Sequence, residues 1–242
     1  METRKRLHPD LRVVLFDIDG TLLRGSRRRE YREMIGRMLV EIFGTEGRLQ
    51  EVDFSGRTDL SIYREALECA GIPASLIRSR LPLLEAGSVE IVRRMSASAE
   101  VFHLCTGVRQ LLEALTQTDR FVPSLLTGNL ERLALMKLQS AGIGHYFPIR
   151  GAYGSDAEDR NLLPAIAARR VCEQLGEEIP PHRMLIVGDT PRDIACARHF
   201  GARVLAVASG FHTTDQLQEH QPDALLPDLG RTDEVLHLFS LL

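Results

Sequence analysis

A chain of 242 residues with 44% hydrophobic and 26% charged side chains has the makeup of an ordinary globular protein, long enough for one large domain or a core with a smaller insert. The formal charge of −3 is mild, which sets nucleic acid and membrane surfaces aside as expected partners. No apolar run approaches a membrane span, and the polar start from Met1 to Arg6 lacks the apolar stretch of a signal peptide, so a cytoplasmic protein is expected. Cys69, Cys105, Cys172 and Cys196 form no CxxC pair and have no His at zinc spacing; reduced, buried thiols are expected.

The first predicted element is the apolar run Val13 to Phe16, a buried strand that ends in Asp17-Ile18-Asp19-Gly20. Helical spacing of Met34, Ile35, Met38, Leu39 and Ile42 predicts a helix over 31–43, stopped by Gly44. A second helix is expected over 59–70, capped by Thr58 or Asp59 and closed by Gly71. Residues 74–95 read as helical, with Pro82 either breaking the run or starting its second half. No strand is expected between Leu23 and Phe102, so 24–102 reads as an all-helical insertion.

Beyond Gly107 the pattern alternates. A helix begins at Val108; 121–126 is a strand candidate weakened by Pro123; helices follow over 129–141 and 163–175. Strands are expected over 184–187, 204–208 and 224–226, with a helix over 191–200. Such alternation predicts an α/β fold with a parallel, Rossmann-like sheet, in which function gathers at the carboxyl ends of the strands. Three of the expected strands end at Asp17, Thr127 and Asp189.

Those three ends carry the chemistry. Asp17 and Asp19, two residues apart at a strand end, face one side, and Gly20 lets the chain turn away. One carboxylate can attack phosphorus while the other moves protons; a DxD string alone equally suits an acidic helix cap. Thr127-Gly128-Asn129 offers a hydroxyl and backbone amides to a phosphate oxygen, and Asn129 also suits a helix cap. Gly188-Asp189-Thr190-Pro191-Arg192-Asp193 suits a hard cation such as Mg²⁺, or equally a helix start with Pro191 at its first position.

The order DxDGTL, then Thr-Gly-Asn, then GDxxxD resembles the haloacid dehalogenase-like (HAD) hydrolase superfamily over nearly the whole chain. The resemblance implies a Mg²⁺-dependent phosphatase with an aspartyl-phosphate intermediate. Asp17 would be the nucleophile and a metal ligand, and Asp19 the general acid/base with its backbone carbonyl on the metal. Thr127 and the Gly128 amide would hold the phosphoryl group, with Asn129 beside them. Asp189 would ligate Mg²⁺ and Asp193 would support that metal site. Relatives place a basic residue in a Lys-Pro-x-Pro string; here Asp159-Arg160-Asn161 stands instead, so Arg160 is the first candidate and Lys137 the second. Arg169 and Arg170 read as solvated.

The insertion resembles the helical cap of the phosphoglycolate phosphatase and β-phosphoglucomutase branch, with the core formed by 1–23 and 103–242. Gly56-Arg57-Thr58-Asp59 matches that cap's substrate loop, which makes Thr58 a substrate-binding candidate, although an N-capped helix start explains the string equally well. The cluster Arg24, Arg27, Arg28 and Arg29 either steers anionic substrates or forms a solvated linker face. The resemblance implies a small phosphorylated metabolite as substrate, with phosphoglycolate the nearest named candidate. A sugar phosphomutase uses the same intermediate; a non-catalytic phosphate-ligand binding protein would lack one of the key residues, and although Asp17, Asp19, Thr127 and Asp189 are all present, the basic residue is the one opening for it.

Overall fold

In the computed structural model, residues 8–98 and 101–242 are described. The chain runs β1 (Arg12–Phe16), β2 (Leu23–Gly25), α1 (Arg28–Phe43), α2 (Asp59–Glu68), α3 (Ala74–Ser79), α4 (Leu81–Ser98), β3 (Phe102–Leu104), α5 (Val108–Thr116) and β4 (Phe121–Leu125). It continues with α6 (Glu131–Ser140), α7 (Leu163–Leu175), β5 (Met184–Gly188), α8 (Pro191–Phe200), β6 (Arg203–Val207), α9 (Thr214–Gln218), β7 (Ala224–Leu226) and α10 (Thr232–Leu241). Five parallel strands form one sheet in the order β4-β1-β5-β6-β7.

Alternation along the strands divides the core. Val14, Phe16, Leu185, Val187, Leu205 and Val207 share one cluster, packed under α5 and α10. Val13, Leu15, Ile186, Val204 and Ala206 share another, with α7 and α8 residues. Successive side chains of a strand point to opposite faces, and a parallel sheet buries both, so these strands read as continuous apolar runs. A third cluster, drawn largely from α1, α2 and α4, gives the helical cap its own core.

The register places the site. Phe16 pairs with Leu125 on one side and Val187 on the other, so β1, β4 and β5 end at one level. The chain leaves β1 for β4 on one flank and then returns to β5 on the opposite flank. That reversal opens a crevice beyond the strand ends, the usual ligand position in such sheets. Pro123 is accommodated because β4 is an edge strand whose only strand partner is β1 among the described residues; on its outer side a backbone bond, from Ala152 N, reaches only its last residue, Leu125.

The structure adds elements to the sequence reading. β2 and β3, at the two edges of the insertion, form an antiparallel ribbon pairing Leu23 with Leu104 and Gly25 with Phe102. Three residues are too few for a period-2 pattern to show. The 74–95 helix is two helices, with Arg80 between them, and Pro82 occupies the first turn of α4, where its missing N–H costs no helical bond. α9 and α10 were not expected; α9 is held by a capping box of Thr213 and Gln216, and α10 by burial of Val235 and Phe239, four residues apart. The four cysteines are free; Cys105 and Cys196 are buried, whereas Cys69 is exposed, contrary to expectation. Arg170 is not solvated either: it ion-pairs with Asp156 at 2.6 Å and donates to the Gly151 carbonyl. No helix among the described residues is long and apolar enough to cross a membrane.

Candidate active site

Asp17 follows β1 directly, and its N–H still donates to Val187 O of β5 at 2.9 Å. The chain then turns tightly: Ile18 O accepts the N–H groups of Leu22 and Leu23. Gly20 sits at φ +98, and any Cβ there would collide with the Asp189 carboxylate. The turn therefore brings the β1 loop against the β5 loop, where Thr21 Oγ1 donates to Asp189 Oδ1 at 3.2 Å.

Arg160 begins a short 3₁₀ turn entered through Asp159, whose side chain accepts from Asn161 N. Its guanidinium ion-pairs with Asp193 Oδ1 at 2.5 Å and with Asp17 Oδ1 at 3.2 Å. Nε of Arg160 is buried and has no partner among the described residues. Asp193 also closes the capping box of α8, its Oδ2 accepting from Thr190 N and Thr190 Oγ1. Both its oxygens are thus engaged, and it braces the site from behind.

Asp17, Asp189 and Asp193 bring one carboxylate oxygen each within 4.8 Å of one another. All three are buried, Asp17 at 5% exposure and Asp193 at 0%. Burial, then the Asp193 and Asp19 charges, push Asp17 up to about 7 in spite of the Arg160 guanidinium. Burial and the Asp17 and Asp193 charges push Asp189 well above the usual carboxylate range. One arginine does not balance three buried carboxylates. An oxygen-only donor set short of positive charge fits a hard divalent cation such as Mg²⁺.

The second strand end sits beside the first. Thr127 is buried, its N–H bonded to Ala152 O and its Oγ1 accepting from Asn129 N at 3.3 Å. Asn129 does not cap the next helix; α6 starts at Glu131 with Leu130 as N-cap, and Asn129 Oδ1 instead accepts from Lys137 Nζ at 2.8 Å. Lys137 also donates to Asp19 Oδ2 at 2.6 Å. Arg160 and Lys137 both reach the site, each on a different aspartate.

These groups open into a cavity of about 620 Å³ between the sheet and the cap. Asp17, Asp19, Gly128, Asn129, Lys137, Arg160 and Asp189 line its floor; Tyr31, Phe54, Ile62 and Phe102 line the cap side. Thr58 does not line it. Its side chain is fully buried, caps α2 by accepting from Ser61 N, and donates to Glu158 O, while Gly56, Arg57 and Asp59 face the cavity. Of the arginine cluster, Arg27 and Arg28 reach the cavity, with Arg28 over the Phe211 ring at 3.5 Å. Arg24 bonds Ser209 O, and Arg29 pairs with Glu33 in solvent.

Asp59 is the residue that sequence reasoning undervalued. Its N–H donates to Gly128 O at 2.7 Å and its Oδ2 accepts from Leu130 N at 2.8 Å, so the start of α2 clasps the loop after β4. A Cβ on Gly128 would collide with the Arg57 carbonyl, so that closeness needs glycine. Burial pushes Asp59 up to about 6, against the pull of Lys137. The string Gly56 to Asp59 was the available signal, but it pointed to the wrong member. Asp59→Ala is expected to lower kcat/KM about tenfold, the loss of roughly 1.4 kcal/mol of closure, as measured by steady-state kinetics with a phosphomonoester. An unchanged kcat/KM would show that the clasp is not needed in turnover.

Comparison with known proteins points the same way. A family model described as HAD-hydrolase-like matches residues 162–232. A phosphoglycolate phosphatase of Nitrosospira multiformis is 29% identical over 95% of this chain and 97% of its own length. Over nearly its whole length the chain is similar to phosphatases of the haloacid dehalogenase-like hydrolase superfamily. Its curated relatives are phosphoglycolate phosphatases, and it is an enzyme of the phosphatase kind. Solved HAD structures share its fold. One described as a predicted phosphoglycolate phosphatase from Haemophilus somnus superposes with a TM-score of 0.65 at 18% identity, over 94% of this chain and 98% of that one. CbbY of Rhodobacter sphaeroides, solved in complex with phosphate, gives 0.64 at 15% identity, over 91% and 96%.

Proposed function

We propose that the protein is a Mg²⁺-dependent phosphatase of a small phosphorylated metabolite, working through a phospho-aspartyl intermediate on Asp17. The observation that carries this reading is the arrangement of Asp17, paired with Arg160 and packed with Asp189 and Asp193, on the floor of a cavity shared with Asp19. Asp17 attacks phosphorus, and the ester oxygen leaves with a proton from Asp19. Water then attacks the phospho-aspartate, Asp19 takes the water proton, and inorganic phosphate departs, restoring the Asp17 carboxylate. Arg160 aims the nucleophile and offsets its charge. The Thr127 hydroxyl and the Gly128 amide hold the transferring group.

Asp17, Asp189 and the Asp19 carbonyl, with Asp193 in support, would hold Mg²⁺, which would supply charge neutralisation at the phosphoryl oxygens. Residues 24–102 serve as the cap that closes over the substrate and excludes water, on a core of 1–23 and 103–242. The four free cysteines support a reducing, cytoplasmic setting.

Phosphoglycolate is the first substrate to test, because the Nitrosospira relative bears that name. The experiment measures phosphate released from a panel of phosphorylated metabolites with Mg²⁺ and with EDTA. Mg²⁺-dependent release from phosphoglycolate or another small ester is expected. Isomer formation without free phosphate would replace the phosphatase with a phosphomutase, and binding without turnover would replace it with a phosphate-ligand binding protein.

A further inference from the structure

The two buried cations of the cavity floor, Arg160 and Lys137, serve different carboxylates. Arg160 touches Asp17 and Asp193, whereas Lys137 touches Asp19. Lys137 is itself 5% exposed, while the Asp19 side chain is 39% exposed toward the cavity. Among the described residues Lys137 is the one hydrogen-bond donor to the Asp19 carboxylate, through Oδ2 at 2.6 Å. Asn129, in the loop that leads into α6, accepts a second ammonium hydrogen bond at 2.8 Å and so fixes where the amine sits. The rings of Tyr31 from α1 and Phe102 from β3 stand 5.9 and 5.6 Å from the ammonium, inside cation–π range, and cover it from the cap side.

We propose that Lys137 is a positioning residue that acts through Asp19, holding one carboxylate oxygen so that the other faces the transferring group. The inference rests on the phosphatase reading and divides its labour: Arg160 aims the nucleophile, and the Asn129–Lys137 pair aims the acid/base. A flexible carboxylate on an open loop gains from such a hold, because proton transfer at the ester oxygen needs hydrogen-bond distance at the moment of bond breaking. Tyr31 and Phe102 come from the cap side, so the hold is complete only while the cap covers the core.

The test uses full-length, Mg²⁺-loaded protein and introduces Lys137→Met into the wild type and into Asp19→Asn. With an alkyl phosphate, Lys137→Met is expected to lower kcat about 10²-fold, the usual scale for a misplaced catalytic group, while KM moves less than about threefold. In the Asp19→Asn background the same change should cost less than about threefold, because residues acting as one unit are non-additive. With p-nitrophenyl phosphate, whose leaving group needs no proton, kcat/KM of Lys137→Met should fall far less than with the alkyl ester. Asn129→Ala is the second variant, expected to shift kcat about tenfold in the same direction and to be non-additive with Lys137→Met. Fully additive losses, or a rise in KM at unchanged kcat, overturn the proposal and make Lys137 a direct substrate ligand. A wild type that releases no phosphate from any ester overturns the phosphatase reading, and the inference with it.

Discussion

Asp17→Asn is expected to lower phosphate release by at least about 10⁴-fold while leaving the protein folded, with a melting temperature equal to or above that of the wild type. The activity loss follows from chemistry, since a neutral amide cannot form the acyl-phosphate. The stability prediction follows from burial. Asp17 is 5% exposed and shares its surroundings with Asp189 and Asp193, so an ionised carboxylate there is opposed by desolvation and by like charge. Asparagine keeps the shape and removes the charge. Arg160 keeps its 2.5 Å pair with Asp193, so no guanidinium is stranded. Released phosphate and a thermal melt on the same preparation check both halves. Retained turnover above a hundredth of wild type would move the nucleophile elsewhere, and a collapsed melting temperature would show that the Asp17–Arg160 pair carries net stability.

Much of this site was legible because its parts sit at strand ends. Apolar runs such as Val13 to Phe16 and Met184 to Val187 announce buried strands, and a carboxylate or hydroxyl placed directly after such a run has one place to go. The register then brings Asp17, Thr127 and Asp189 to one level without further information. Arg160 was harder, because a short 3₁₀ turn leaves no periodic trace; only its place before α7 and its chemistry favoured it.

The cap contacts were less legible for a physical reason. Thr58 and Asp59 are both good helix starters, and a cap string states only that a helix begins. Which of the two faces the β4 loop depends on how the helical unit is set upon the sheet, a relation between segments about 70 residues apart in sequence. Lys137 shows the same limit. The sequence offered it only as the second candidate for the basic residue, and its contact with Asp19, 118 residues away, depends on how distant segments pack.

Metal-free protein is expected to lose stability as pH rises from about 4 to 8, and Mg²⁺ is expected to restore it. Asp17 is raised from an ordinary value of 3.8 to about 7, and Asp189 is raised as well. Between the unfolded and folded values the native state binds more protons than the unfolded chain, so the slope of unfolding free energy against pH is negative there. The contribution is fully present below about 4 and is lost as pH passes through about 7. At about 1.4 kcal/mol per pKa unit the Asp17 shift alone amounts to a loss on the order of 4 kcal/mol, or on the order of 10 °C in melting temperature for a chain of this size. A cation bound among ionised carboxylates reverses the sign: above pH 7, added Mg²⁺ should raise the melting temperature by mass action, and below pH 5 it should do little, because protons compete for the same oxygens. Asp189→Asn should flatten both the pH slope and the Mg²⁺ response. Thermal melts in EDTA and in Mg²⁺, at pH 5 and pH 8, supply the measurement. A metal-free melting temperature that rose from pH 5 to pH 8 would mean that Arg160 keeps these aspartates ionised without a metal, and the charge argument for a cation at this site would fail.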